Sequence, residues 1–252
     1  MSANPPGPLP ASAATPFGPR LQGRDVLRAI LLGLALFLIG DLVIGELAAG
    51  VETPGGRINY NLAYWAVWSF AWLAAIWLVF VRQRGLSFAD LGYLVPEPRW
   101  AAWGVFAGFA AFPAAFGLAI YLRQLLGSES ATDLRQYYGG TDFTILQAFV
   151  LLLYGGFLVP IAEELVFRGL LFRWIRQRMD FPAAALISAA IFAAAHGRPV
   201  QIVLTGLLGL LMAWLYEKSR TLVPAILMHQ TYNSLGLMMQ FAYVWFVPAQ
   251  SG

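Results

Sequence analysis

Two adjacent carboxylates, Glu163 and Glu164, and the guanidinium of Arg168 stand within residues 161–169, a run otherwise apolar enough for the interior of a bilayer. A charge near the bilayer centre costs about 2.5–3.5 kcal/mol on insertion scales, so such groups face protein and mark functional sites. The chain holds only two histidines, His196 and His229, and both lie in or at the end of later apolar runs, the second followed by Asn233. Carboxylate, imidazole and carboxamide together supply a base, a proton relay and oxyanion donors, the parts that water-mediated acyl cleavage needs.

Helical spacing says which groups can meet. Glu164 and Arg168 are i,i+4 with the acid first, the favourable order for an ion pair. Glu163 is turned about 100° away and has no local partner, which makes it the freer carboxylate. His229 and Asn233 share a face at i,i+4, and Phe192 at the same spacing from His196 can pack a ring one turn below the imidazole. Each group also has a structural reading. A buried Glu–Arg pair can be a clamp, a buried His a satisfied hydrogen-bonding residue, and an Asn in a membrane helix interhelical glue.

The elements that must position these groups follow from composition. Among 252 residues 59% are hydrophobic and 12% charged, against about 25% charged in soluble domains, and the mean hydropathy is +0.66. This is the composition of an all-α, polytopic transmembrane helix bundle. Apolar runs at residues 26–49, 62–81, 100–122, within 143–178, and at 181–196, 200–216 and 222–245 predict about seven spans. The first run is too long for a signal-peptide core. The fourth, at about 36 residues, is too long for one crossing, and Gly155, Gly156 and Pro160 predict a break or kink just before the Glu pair. Gly206 and Gly209 do not form a small-xxx-small motif.

Residues 1–20 hold six prolines and read as a disordered cytoplasmic tail. Residues 21–142 read as three spans with their connectors, and 247–252 as a short C-terminal tail. Arg20, Arg24, Arg28, Arg82, Arg84, Arg99, Arg173, Arg176, Arg178, Lys218 and Arg220 fall on one side of a seven-span arrangement. That asymmetry predicts a cytoplasmic N terminus and an outer C terminus. The net charge of +3 is thereby used for topology, and with no basic groove or motif the chain has no nucleic-acid partner. With no cysteine, disulfides, thiol catalysis and thiolate metal sites are excluded.

Glu163-Glu164-x-x-x-Arg168, Phe192-x-x-x-His196 and His229-x-x-x-Asn233 resemble, in order and separation, the three motifs of the CAAX protease and bacteriocin-processing family of intramembrane proteases. Pro224 and the Leu91-Gly92 pair also resemble that family. The resemblance implies that residues 143–246 form a catalytic helical core related to the CAAX-processing type II endopeptidases. It further implies that Glu163 and His196 activate a water, that His229 and Asn233 stabilise the oxyanion, and that Glu164 and Arg168 hold the site. The substrate so implied is a peptide or protein at the bilayer, lipidated or membrane-embedded, with the protein resident in a bacterial inner membrane. The family is often described as metallo-dependent. Glu163, His196 and His229 could supply one carboxylate and two imidazoles to a divalent ion such as Zn2+, although the helical His-Glu-x-x-His pattern is absent. A non-proteolytic bacteriocin-immunity or membrane-scaffold member is the alternative. A proton-coupled transporter would need paired broken helices or an inverted repeat, and neither is evident.

Overall fold

The computed structural model describes residues 14–15, 17–48, 54–126 and 144–246. The polar stretch at 127–142 and the C-terminal tail lie outside the described residues, as does most of the proline-rich N terminus. Seven helical segments follow in order: α1 (Gly23–Ala48), α2 (Pro54–Ile76, continued by π-helical Trp77–Gln83), α3 (Pro98–Leu126), α4 (Ile145–Arg176), α5 (Phe181–Ala194), α6 (Pro199–Ser219) and α7 (Val223–Phe246). They correspond to the seven apolar runs. Among the described residues α1, α2, α3, α4 and α6 are each long and apolar enough to cross a bilayer. The protein is an integral, all-α membrane bundle. The strands Ala14–Thr15 and Gly18–Pro19 form a minimal antiparallel hairpin ahead of α1.

Local chemistry sets the helix starts. Thr144 and Gln147 form a reciprocal capping box at the head of α4, satisfying two N–H groups that a helix start leaves orphaned. At α5, Asp180 accepts from Ala183 N at 3.1 Å and Pro182 occupies the first turn, where its missing N–H costs nothing. α5 has 14 residues and so reaches roughly 21 Å. This short helix ends two residues before His196.

The fourth apolar run is not broken where the glycine pair and Pro160 predict a break. It is one helix of 32 residues that widens twice into π geometry, at Leu152–Leu158 and Leu165–Phe172. Widening the turn ahead of Pro160 absorbs the missing N–H and the ring without severing the helix. The Glu pair lies on the ordinary helical turn Val159–Glu164 between the two π segments.

Close approach of backbones builds the core around α4. α7 lies along α3, and a Cβ at Gly108 would come within 2.6 Å of Thr231 and 2.7 Å of the Met228 carbonyl, so only glycine lets these helices meet here. α5 and α6 pack as an antiparallel pair beside α4. The main core gathers Phe172, Phe192, Met212, Leu215, Tyr216, Leu222 and Met228. A smaller cluster of Ala148, Leu151, Leu237, Phe241 and Val244 lies beyond the first π segment.

The end of the presumed tail is ordered. Phe17 is buried against Phe172 and Tyr216, with ring centroids 6.2 and 5.2 Å away. Arg173, read as a topology signal, is itself fully buried. It donates to the carbonyls of Pro19 and Asp90, tying the N-terminal strand and the α2–α3 connector to the end of α4. The connector is joined to the start of α7 as well: Leu222 N donates to Gly92 O at 2.8 Å, and Thr221 Oγ1 donates to Leu94 O at 2.6 Å.

Candidate active site

Glu164 is completely buried and Arg168 nearly so. Their side chains meet as the spacing predicts, Arg168 Nη1 donating to Glu164 Oε1 at 2.7 Å. Arg168 Nη2 donates to the Gly209 carbonyl on α6 at 3.2 Å, and the guanidinium carbon sits 4.4 Å from the centroid of the Phe192 ring on α5. One arginine thus joins α4, α5 and α6 through an ion pair, a charge-assisted hydrogen bond and a cation–π contact.

His229 on α7 completes the centre. Its Nδ1 lies 2.9 Å from Glu164 Oε1, and its Nε2 lies 3.6 Å from Glu163 Oε2. An ionised carboxylate only accepts, so Nδ1 carries the proton in this contact, and Nε2 is left as a lone pair or as a second donor when the ring is charged. His196 follows the same rule. Its Nδ1 is 2.9 Å from the Phe192 carbonyl, an acceptor-only group, and this also leaves Nε2 for other work. The Phe192 ring packs against both imidazoles, with centroids 4.8 Å from His196 and 5.9 Å from His229.

Asn233, one turn beyond His229, donates through Nδ2 to the Gly155 carbonyl at 3.1 Å. The six residues singled out by spacing therefore fall into two connected sets. Glu163, Glu164, Arg168, His196 and His229 surround the Phe192 ring or one another, and Asn233 reaches from α7 to the π-helical part of α4. One supporting group escaped the sequence reading. The Gly209 carbonyl serves Arg168, and a Cβ at Gly209 would stand 3.1 Å from Ala189 Cβ and 3.3 Å from Arg168 Nη2. The only signal in the sequence was a glycine deep in an apolar helix. A small apolar crevice lined by Leu208, Met212, Met228 and Tyr232 opens beside His229.

Both imidazoles have Nδ1 anchored and Nε2 available, the arrangement that second-shell partners impose on metal-binding histidines. Among the described residues, however, no three His, Asp or Glu side chains converge closely enough to hold a metal ion. Glu163, His196 and His229 do not form a preassembled metal centre.

The fold and site together define a helical membrane bundle that holds a buried carboxylate–imidazole centre. Residues 145–235 match the family described as Type II CAAX prenyl endopeptidase Rce1-like, the segment that holds the three motifs resembling the CAAX protease and bacteriocin-processing family. Among curated proteins it is 30% identical over 97 residues to "Putative membrane peptidase YdiL" of Bacillus subtilis (strain 168), covering 38% of this chain and 40% of that one. It is also 30% identical over 82 residues to "UPF0177 protein YxdF" of Lactococcus lactis subsp. lactis (strain IL1403), covering 32% of this chain and 45% of that one. The chain thus spans less than half the length of these relatives. No solved structure matches it.

Proposed function

We propose that the protein is an intramembrane endopeptidase that hydrolyses a peptide bond with a water activated by Glu163. The observation that carries this reading is the position of Glu163 Oε2, 3.6 Å from His229 Nε2, on a histidine whose other nitrogen is held by the buried Glu164–Arg168 pair. A water touching Glu163 and the open Nε2 of His196 can lose its proton to the carboxylate as its oxygen bonds to the scissile carbonyl carbon. The carbonyl oxygen becomes an oxyanion. It is met by an Nδ2–H of Asn233 and, where His229 has taken a proton from solvent before the substrate binds, by His229 Nε2–H. As the carbon–nitrogen bond breaks, the proton held by Glu163 passes to the leaving amine. Glu164 and Arg168 keep His229 in one orientation throughout and do not exchange protons with the substrate.

The substrate is a peptide reached at the membrane, lipidated or embedded, and the residence is a bacterial inner membrane with the basic helix ends on the cytoplasmic side. Chain residues suffice for every step of this route, so no tightly held divalent ion is needed. The test is to incubate detergent-purified protein with a panel of membrane and prenylated peptides, with and without exhaustive chelation, and to identify products by mass spectrometry. Discrete cleavage that survives chelation is the expected result. Activity lost on chelation and restored by one metal equivalent would make Glu163, His196 and His229 ligands. No cleavage of any peptide would favour the immunity or scaffold reading.

A further inference from the structure

The Gly155 carbonyl is denied both of its helical donors. In an ordinary α-helix it would accept from Val159, but Val159 N–H is given to Tyr154 O, in the i→i+5 register of the π segment. In that register its donor would be residue 160, and residue 160 is proline, which has no N–H. A buried carbonyl without a partner costs about 1–3 kcal/mol, so it demands a donor from elsewhere. Asn233 Nδ2 supplies it at 3.1 Å across 78 residues. Two residues on, the Phe157 carbonyl of the same π segment accepts from Gln230 Nε2 at 3.2 Å, so α7 is tethered to this turn twice.

The geometry points to Pro160 as a positioning residue: by stripping the Gly155 carbonyl of its helix partner, it creates the acceptor that holds the Asn233 carboxamide in one orientation. The carbonyl only accepts, so it fixes which end of the amide faces it. One Nδ2–H is consumed and the other remains for a substrate oxygen. An alanine at 160 would bring an N–H onto Gly155 O in the existing register, where it competes with Asn233 Nδ2 for that oxygen and loosens its hold on the carboxamide. This inference rests on the proposed role of Asn233 as an oxyanion donor, but the clasp itself can be observed without any substrate.

The chain has four asparagines, Asn4, Asn59, Asn61 and Asn233, so side-chain amide spectra of [15N]asparagine-labelled protein in micelles are simple, and Asn233→Ala identifies the signal of interest. Pro160→Ala and the bulk-retaining Pro160→Leu are compared with the parental protein, with Tm recorded for each. The clasp predicts one exchange-protected Nδ2 proton at Asn233 in the parental protein, losing at least about tenfold of its protection in both variants. It also predicts a kcat about tenfold lower with KM within about twofold. In an Asn233→Ala background, Pro160→Ala should lower kcat no further. Unchanged protection of the Asn233 proton in both variants overturns the inference, as does an equal loss of kcat with and without Asn233. Loss of protection in a protein that cleaves nothing upholds the clasp and removes the proteolytic reading.

Discussion

His229 Nδ1 lies 2.9 Å from Glu164 Oε1 and joins residues 65 positions apart in the chain. The same oxygen takes the Arg168 Nη1 hydrogen bond at 2.7 Å. Glu164 is thereby shared between the Arg168 ion pair and the His229 imidazole, and the two adjacent carboxylates are used in different ways. Glu164 is enclosed, and its Oε1 is shared between Arg168 of α4 and His229 of α7. Glu163 keeps 11% of its side-chain surface open and faces the far nitrogen of the same histidine.

Removing one partner of the enclosed pair should therefore be costly. Arg168→Ala leaves Glu164 as a buried carboxylate and strips the Gly209 carbonyl and the Phe192 ring of their contacts. Broken buried pairs cost about 3–5 kcal/mol, so thermal unfolding in detergent should show a Tm lowered by several degrees, with activity lost in parallel. A variant as stable as the parent would show the pair to be dispensable.

Gly209 tests the packing behind that arginine. Gly209→Ala forces a methyl group into the 3.1 Å and 3.3 Å approaches of Ala189 and Arg168, and overpacking of this kind costs about 1–3 kcal/mol. A lowered Tm with a smaller loss in kcat is expected. Gly206, whose Cβ would meet nothing closer than 3.5 Å, should accept alanine with little change in either quantity.

The α2–α3 connector carries a pH signature. Asp90 Oδ2 accepts from Ser87 Oγ at 2.7 Å and from Ser87 N at 2.8 Å, and these bonds, aided by Arg173, hold its carboxyl below the ordinary value of 3.8. A carboxyl depressed in the folded state stabilises above its unfolded value and loses that contribution as pH falls through the folded value. The Tm gap between parental protein and Asp90→Asn should be greatest near neutrality and close as pH drops below 3.8. A gap that is constant with pH would show that the charge of Asp90 contributes nothing.

The sequence reveals elements better than it reveals their joints. All seven helices, the Glu164–Arg168 contact and the Phe192 ring beneath His196 follow from apolar periodicity and i,i+4 spacing, because those are local properties. The continuity of α4 does not follow, since a glycine pair and a proline signal a break and a π turn with equal force; the outcome depends on α7 supplying donors to Gly155 and Phe157. Arg173 looks like one more basic helix end until its acceptors, the carbonyls of Pro19 and Asp90, are brought to it by tertiary structure. Phe17 is hidden among prolines in the same way, its burial decided by the cleft between Phe172 and Tyr216. The pairing of His229 with Glu164 spans two separate motifs and could not be read from either.

Water activation by Glu163 is tested most directly by comparing cleavage by Glu163→Gln and parental protein of matched Tm, in water enriched in 18O. Glutamine preserves shape and hydrogen bonding but cannot take the proton. General-base action by Glu163 predicts one 18O atom in the new carboxylate of the parental product and, for Glu163→Gln, a kcat lower by at least about a hundredfold, the scale of general-base contributions. Cleavage by Glu163→Gln at the parental rate would contradict it and move the base to another group.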